Sequence, residues 1–147
     1  MKDAQRLDTN GYRALAEFRY QLRRFLQFSE DQARAAGLEP QQHQLLLAIK
    51  GLPENCPSTI RELANRLLLK HHSTVELVDR LERRGAVRRT PNPDDARTVL
   101  VQLTRTGEQL LATLSQAHSG ELKSAGPALI KALTAVLRAP RKKVAAA

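Results

Sequence analysis

Two short amphipathic segments, separated by a gap of few residues and followed at once by a β-pattern, constrain this 147-residue chain more than any other feature. Thr59 and Glu62 have capping-box spacing, so a short helix is expected from Ile60, with Ile60, Leu63, Ala64 and Leu67 on its apolar side. A break over residues 68–71 leads to a second helix over about 72–84. Its buried side is expected to be Val75, Leu77, Val78 and Leu81, and Gly85 stops it. Residues 86–90 and 98–103 then read as strands around the polar loop PNPDDAR, with Val99, Val101 and Leu103 on one face. That loop is longer than a tight hairpin turn, so it should protrude as a wing. Two short helices joined by a tight turn, followed by such a hairpin, spell a winged helix-turn-helix.

The flanking sequence is helical. Leu15, Phe18, Leu22, Phe25 and Leu26 recur at three- and four-residue steps in a helix over about 10–36, ended by Gly37. Pro40 opens a second helix through residue 52, with Leu45, Leu46, Ala48 and Ile49 as its stripe. After the hairpin, a helix over about 104–124 carries Leu110, Leu111, Leu114, Ala117 and Leu122. Gly126-Pro127 is expected to open a sixth helix bearing Leu129, Ile130, Leu133, Val136 and Leu137, which Pro140 ends. The fold class is thus mainly α with a small β-hairpin wing. Residues 37–103 form the winged helix-turn-helix lobe, 1–36 and 104–139 the dimerisation helices, and 140–147 a disordered basic tail. Self-association is expected because the terminal helices hold more apolar positions than one small lobe can use. Leu15, Phe18, Leu22 and Phe25 at one end, and Leu129, Ile130, Leu133 and Leu137 at the other, gain about 1.5–3 kcal/mol each when fully buried.

Charge narrows the partner. Lys and Arg number 24 against 15 Asp and Glu, a formal net of +9, and a domain this basic usually meets a polyanion. Double-stranded DNA is the expected one. An anionic membrane surface is the competitor, but no helix joins a basic face to large aromatic anchors. Scarce aromatics and the absence of tryptophan argue against base-stacking platforms for single strands. The N-terminus lacks the apolar core of a signal peptide, and no run reaches the length of a membrane span. The lone Cys56 permits no intrachain disulfide and fits a cytoplasmic location. It has no basic or histidine neighbours in sequence, so a redox role is not expected. No phosphate-binding glycine loop, nucleophile–base arrangement or metal-ligand spacing is present, so neither enzyme, cofactor nor metal is expected. His71 and His72 diverge by about 100° on a helix.

A helix about 10–12 Å across fits the DNA major groove, which is about 12 Å wide. The groove face of the 72–84 helix is expected to hold His72, Ser73, Glu76, Arg80 and Arg83. Ser73 and Glu76 also have capping-box spacing, and Arg83 with Arg84 also reads as a solvated helix end. Arg88 and Arg89 leave the helix toward the backbone as phosphate contacts, or stand as solvated strand residues.

The series LA-x-RL, VDRLERRG, AVRR, NPDDAR and VQLT before TxxG, with GLEPQQHQLLLAI as the second helix, resembles the MarR family over nearly the whole chain. The resemblance implies an intertwined homodimer that binds a pseudo-palindromic operator with half-sites about one helical turn apart. It implies a regulator, usually a repressor, released by a small aromatic or anionic ligand bound between dimer lobe and DNA lobe. Arg24, Phe25, Phe28 and His43 lie on segments near that junction, though the aromatics are expected to pack in the core. It also implies that Asp95 holds Arg97, and that Arg97 enters or borders the minor groove. Two departures stand out. Val75-Glu76 replaces a common Thr-Arg pair, so the family's usual base contacts do not carry over, and Ala96 replaces a position that is often basic. The rival reading is a winged-helix module that binds protein without an operator. Its mark would be an apolar reader face, and this one is polar.

Overall fold

The computed structural model describes residues 5–143. In chain order the elements are β1 (Gln5–Leu7), α1 (Thr9–Ala35), α2 (Pro40–Lys50), α3 (Ile60–Leu67), α4 (His71–Arg83), β2 (Val87–Pro91), β3 (Val99–Leu103), α5 (Arg105–Arg138) and β4 (Arg141–Lys143). The chain divides into two compact units, residues 1–29 with 118–147, and residues 30–117. No helix among the described residues is long and apolar enough to cross a membrane.

In the first unit, the Asp8 carboxylate accepts the Gly11 N–H at 2.8 Å and caps α1. Phe25 and Phe28 set their rings edge-on to His118, with centroids 6.3 and 5.9 Å away. Ser29 is buried and its hydroxyl lies 2.7 Å from His118 Nε2. Two expectations are corrected here. Arg141–Lys143 is a strand paired antiparallel with β1, from Leu7 opposite Arg141 to Gln5 opposite Lys143, and not a disordered tail. Pairing with a distant segment satisfies backbone groups that basic composition leaves without an assigned partner. Residues 144–147 lie outside the described residues.

The second correction concerns helix number. The break at Gly126-Pro127 does not occur: α5 runs on with Pro127 inside it, so the described residues hold five helices, not six. Proline inside a helix costs about 3 kcal/mol through a lost hydrogen bond and a ring clash. The apolar stripe outweighs that cost because it stays in phase across the proline. Leu111, Leu114, Ala125, Leu129, Ala132 and Val136 all fall on the less exposed side.

The second unit carries the larger core. Leu38, Leu45, Leu46, Leu63, Val78, Leu81, Val87 and Val101 are all buried, drawn from every element between the end of α1 and the hairpin. Local chemistry fixes the helix ends. The Glu39 N–H donates to Gln42 Oε1 at 3.0 Å, and Pro40 occupies the first turn of α2. The Glu62 N–H donates to Thr59 Oγ1 at 3.2 Å, as the spacing predicts. Gly85, at φ +76°, turns the chain from α4 into β2, a conformation other residues enter at a cost. Two details of α4 differ from expectation. It starts at His71, so Ser73 already lies inside the helix and forms no capping box with Glu76. Thr74, not Val75, then fills the core, and its hydroxyl donates to the Lys70 carbonyl at 3.1 Å. That bond lets a polar side chain be buried without penalty.

β2 and β3 pair from Val87 opposite Leu103 to Pro91 opposite Val99. Only Val101 of the expected apolar face is fully buried, because Val99 sits at the open loop end of the hairpin. The segment before α3 adds a partial third strand: Thr59 bridges Leu100, and the Val101 N–H donates to the Ser58 carbonyl at 2.9 Å.

The turn between α3 and α4 is built on Leu68, which is left-handed at φ 55° and 92% exposed. A left-handed non-glycine residue costs about 1–2 kcal/mol, and asparagine tolerates that region. Leu68→Asn is expected to stabilise the fold by about 0.5–1 kcal/mol, with no apolar burial lost. Urea denaturation would read this as a raised midpoint at unchanged slope.

Candidate nucleic-acid interface

The buried line Thr74, Leu77, Val78 and Leu81 fixes which side of α4 is free. His72, Glu76, Arg80 and Arg83 stand exposed opposite it, and Ser73 is half-buried at its edge. Among the described residues, none of the four exposed side chains makes a hydrogen bond or ion pair. They form a polar strip of donors and acceptors with no intramolecular use. Arg84 is different: its guanidinium donates to the Gly37 carbonyl and moors the end of α4 to the turn after α1.

Arg89 is also engaged. Its guanidinium meets Asp79 at 2.5 Å and Glu82 at 3.2 Å, and its backbone N–H donates to Glu82 at 3.0 Å. Three bonds from one residue thus fasten the base of the hairpin to α4. Its side chain is 26% exposed, so the pairs are partly shielded from water. Arg88, on the opposite strand face, is exposed and makes only a long contact, 3.4 Å, to Gln102 across the hairpin.

The wing loop is held by hydrogen bonds among its own residues. Asp95 Oδ1 accepts both the Arg97 backbone N–H and its Nε–H at 3.0 Å, and Oδ2 accepts a second guanidinium N–H at 3.2 Å. This fork holds the Asp95 carboxyl below the usual carboxylate range, chiefly through the side-chain bonds. The Arg97 side chain remains 89% exposed. Asn92 and Thr98, which sequence reasoning missed, close the loop beneath it. The Asn92 carboxamide donates to Thr98 Oγ1 at 2.9 Å and accepts the Asp94 N–H at 3.0 Å. The Thr98 hydroxyl donates to the Asp95 carbonyl at 3.1 Å. The Asn-Pro-Asp-Asp string was the available signal, since such side chains bond to backbone two residues on. Between the wing and the start of α3 lies an open cavity of about 580 Å³, bordered by Ile60, Arg61, His71, Arg97 and Val99.

Cys56 is half-buried in the connection before α3. Partial desolvation and the neighbouring Glu62 carboxylate raise its thiol pKa. That leaves less thiolate than in a free cysteine, the opposite of what an oxidation sensor needs.

Comparison with known proteins gives a consistent set of relatives. A sequence model described as MarR family matches residues 36–98. YkoM of Bacillus subtilis (strain 168), an uncharacterised HTH-type transcriptional regulator, is 30% identical over 112 residues, spanning 73% of this chain and 70% of the relative. Among solved structures, AbsC, a MarR family transcriptional regulator from Streptomyces coelicolor, superposes with a TM-score of 0.70 at 17% identity, over 83% of this chain and 82% of that one. A mutant of S. aureus MepR bound to an oligodeoxyribonucleotide superposes with a TM-score of 0.59 at 18% identity, over 78% and 79%.

Proposed function

This chain belongs to the MarR family of transcriptional regulators, and from that premise we propose that it represses transcription by binding a pseudo-palindromic operator in the cytoplasm as a homodimer. The observation that carries the reading is the unpartnered polar strip of α4 held beside a pre-set Arg97 wing. His72, Ser73, Glu76, Arg80 and Arg83 meet base edges or flanking phosphates in the major groove. Glu76 selects a cytosine amino group, and Arg80 reaches guanine or phosphate. Arg97 borders the minor groove, where negative potential is high. Arg88 touches phosphate. Arg89 acts through its bonds to Asp79 and Glu82, as a positioning residue for the reader helix. The MepR structure with its oligodeoxyribonucleotide supports DNA as the partner of this fold.

The dimer reading rests on apolar side chains that one copy leaves in water. Ile130 is 67% exposed and Leu137 78%, on the same helix. The double change Ile130→Glu with Leu137→Glu should raise the dimer dissociation constant by 100-fold or more, since a loss of about 2.8 kcal/mol already gives that factor. Sedimentation velocity across a concentration series measures it, and both sites are too exposed for the change to unfold the protomer.

Release follows if a small aromatic or anionic ligand prefers one spacing of the two reader helices over the other. Selection of bound duplexes from a random pool tests the whole reading. Two inverted half-sites about one helical turn apart are expected. A pool that yields no enriched sequence overturns it.

A further inference from the structure

The excess positive charge does not sit on the winged lobe. Residues 30–117 hold 12 Lys and Arg against 11 Asp and Glu, a net of +1. Residues 1–29 with 118–147 also hold 12, against only 4 acids, a net of +8. Pairing sharpens the contrast. The ion pairs of Arg34, Lys50, Arg66, Arg89 and Arg97 all lie within 30–117. In the helical unit, Arg19, Arg23, Lys131 and Arg138 are exposed and meet no acid. Arg13 reaches only the Asn10 carboxamide, and Arg24 lies over the Tyr20 ring at 5.8 Å. These contacts hold the two cations in place without neutralising them. Two of the unit's four acids are occupied elsewhere: Asp8 caps α1, and Glu17 accepts from Gln21 at 2.8 Å.

We infer that the helical unit is a second, sequence-independent binding surface for the phosphate backbone of duplex DNA, separate from the reader helix and wing. The inference rests on the operator reading only in taking DNA as the polyanion at hand. Four arginines on one rigid rod, Arg13, Arg19, Arg23 and Arg24, fit phosphate well because each guanidinium fork can bond two oxygens. An anionic membrane would need α1 to insert an apolar face, yet Phe18, Leu22 and Phe25 are half-buried within the protein, and the exposed Tyr12, Leu15 and Leu26 share their side of the helix with Arg19 and Arg23. In a dimer the like charges double, and the repulsion is relieved when a polyanion lies against them. The winged lobe then selects sequence, and the helical unit supplies most of the charge-driven affinity.

The test uses the full chain with all four arginines replaced (Arg13→Gln, Arg19→Gln, Arg23→Gln, Arg24→Gln), compared with the four lysine replacements and with the unaltered protein. Fluorescence anisotropy would follow binding to a long duplex of random sequence across a salt series, at protein concentrations where sedimentation shows equal oligomeric states. Each lost phosphate contact lowers the slope of log affinity against log salt by about 0.9. The glutamine variant should therefore show a shallower slope and at least tenfold weaker random-duplex binding, while the lysine variant keeps both and the operator preference persists. An unchanged slope overturns the inference. So does a variant that loses only its binding to vesicles containing phosphatidylserine. If no operator exists but these arginines still govern random-duplex binding, the operator reading fails and this one stands.

Discussion

Gly107→Ala should cost the fold about 3 kcal/mol and lower its melting temperature by roughly 10 °C, the largest stability change expected from adding one methyl group. The reason is a contact between backbones. A Cβ at position 107 would lie 2.1 Å from the Ala86 carbonyl oxygen and 3.1 Å from its carbon. Neither neighbour can yield cheaply. The Ala86 carbonyl accepts the Thr104 N–H at 3.0 Å, and Ala86 itself is fully buried. The Thr104 hydroxyl donates to the Gly85 carbonyl, so the start of α5 is tied at two points to the turn leaving α4. Relief of the clash would pull α5 away from that turn and tilt β2 at its root. Differential scanning calorimetry measures the loss. Gly120→Ala is the matched control, because nothing lies within 4 Å of its added Cβ. That change should be neutral or stabilising, since alanine outranks glycine inside a helix by about 1 kcal/mol.

Arg97→Ala should weaken operator binding by about 100-fold, with folding unaffected. The proposed dimer presents two wings, and about 1.4 kcal/mol at each multiplies to that factor. The loss should be similar for every DNA sequence tested, because phosphate and minor-groove contacts position the protein and carry little base information. His72→Ala and Glu76→Ala should instead change which sequence is preferred. Asp95→Asn separates the wing's shape from its charge. It keeps an oxygen acceptor but removes the ionic fork, so binding should fall less than with Arg97→Ala. The pH dependence has a defined sign. Asp95 has its folded-state pKa depressed by Arg97, so the pair's contribution is complete above the ordinary aspartate range and lost as pH falls through the depressed value. Nuclear magnetic resonance of the Arg97 Nε–H should show the fork intact at a pH where a free aspartate is already half protonated. A binding isotherm for Arg97→Ala identical to that of the unaltered protein would remove the wing from the interface.

What the sequence discloses here is governed by how local the controlling interaction is. Thr59 with Glu62 and Gly85 after α4 announce themselves because their chemistry is complete within four residues. The burial of Thr74 in place of Val75 was hidden by a shift in the helix start. Lys70 makes no side-chain cap, so nothing in the sequence marked His71 as the first residue of α4. The continuity of α5 was hidden because Gly126-Pro127 is a strong local break signal that a longer in-phase stripe overrides. The engagement of Arg89 depends on Asp79 and Glu82, which only the fold brings beside β2. Net charge was legible as a total and misleading as to place, since the winged lobe is nearly balanced.

The bond from Arg84 to the Gly37 carbonyl joins the end of α4 to a bend 47 residues earlier in the chain. The other end is seated by Thr74 and Leu77, both buried, so the helix is held at both ends while its polar strip stays in water. The orientation of α4 is thereby set partly from behind, by a residue that is not part of its exposed polar strip.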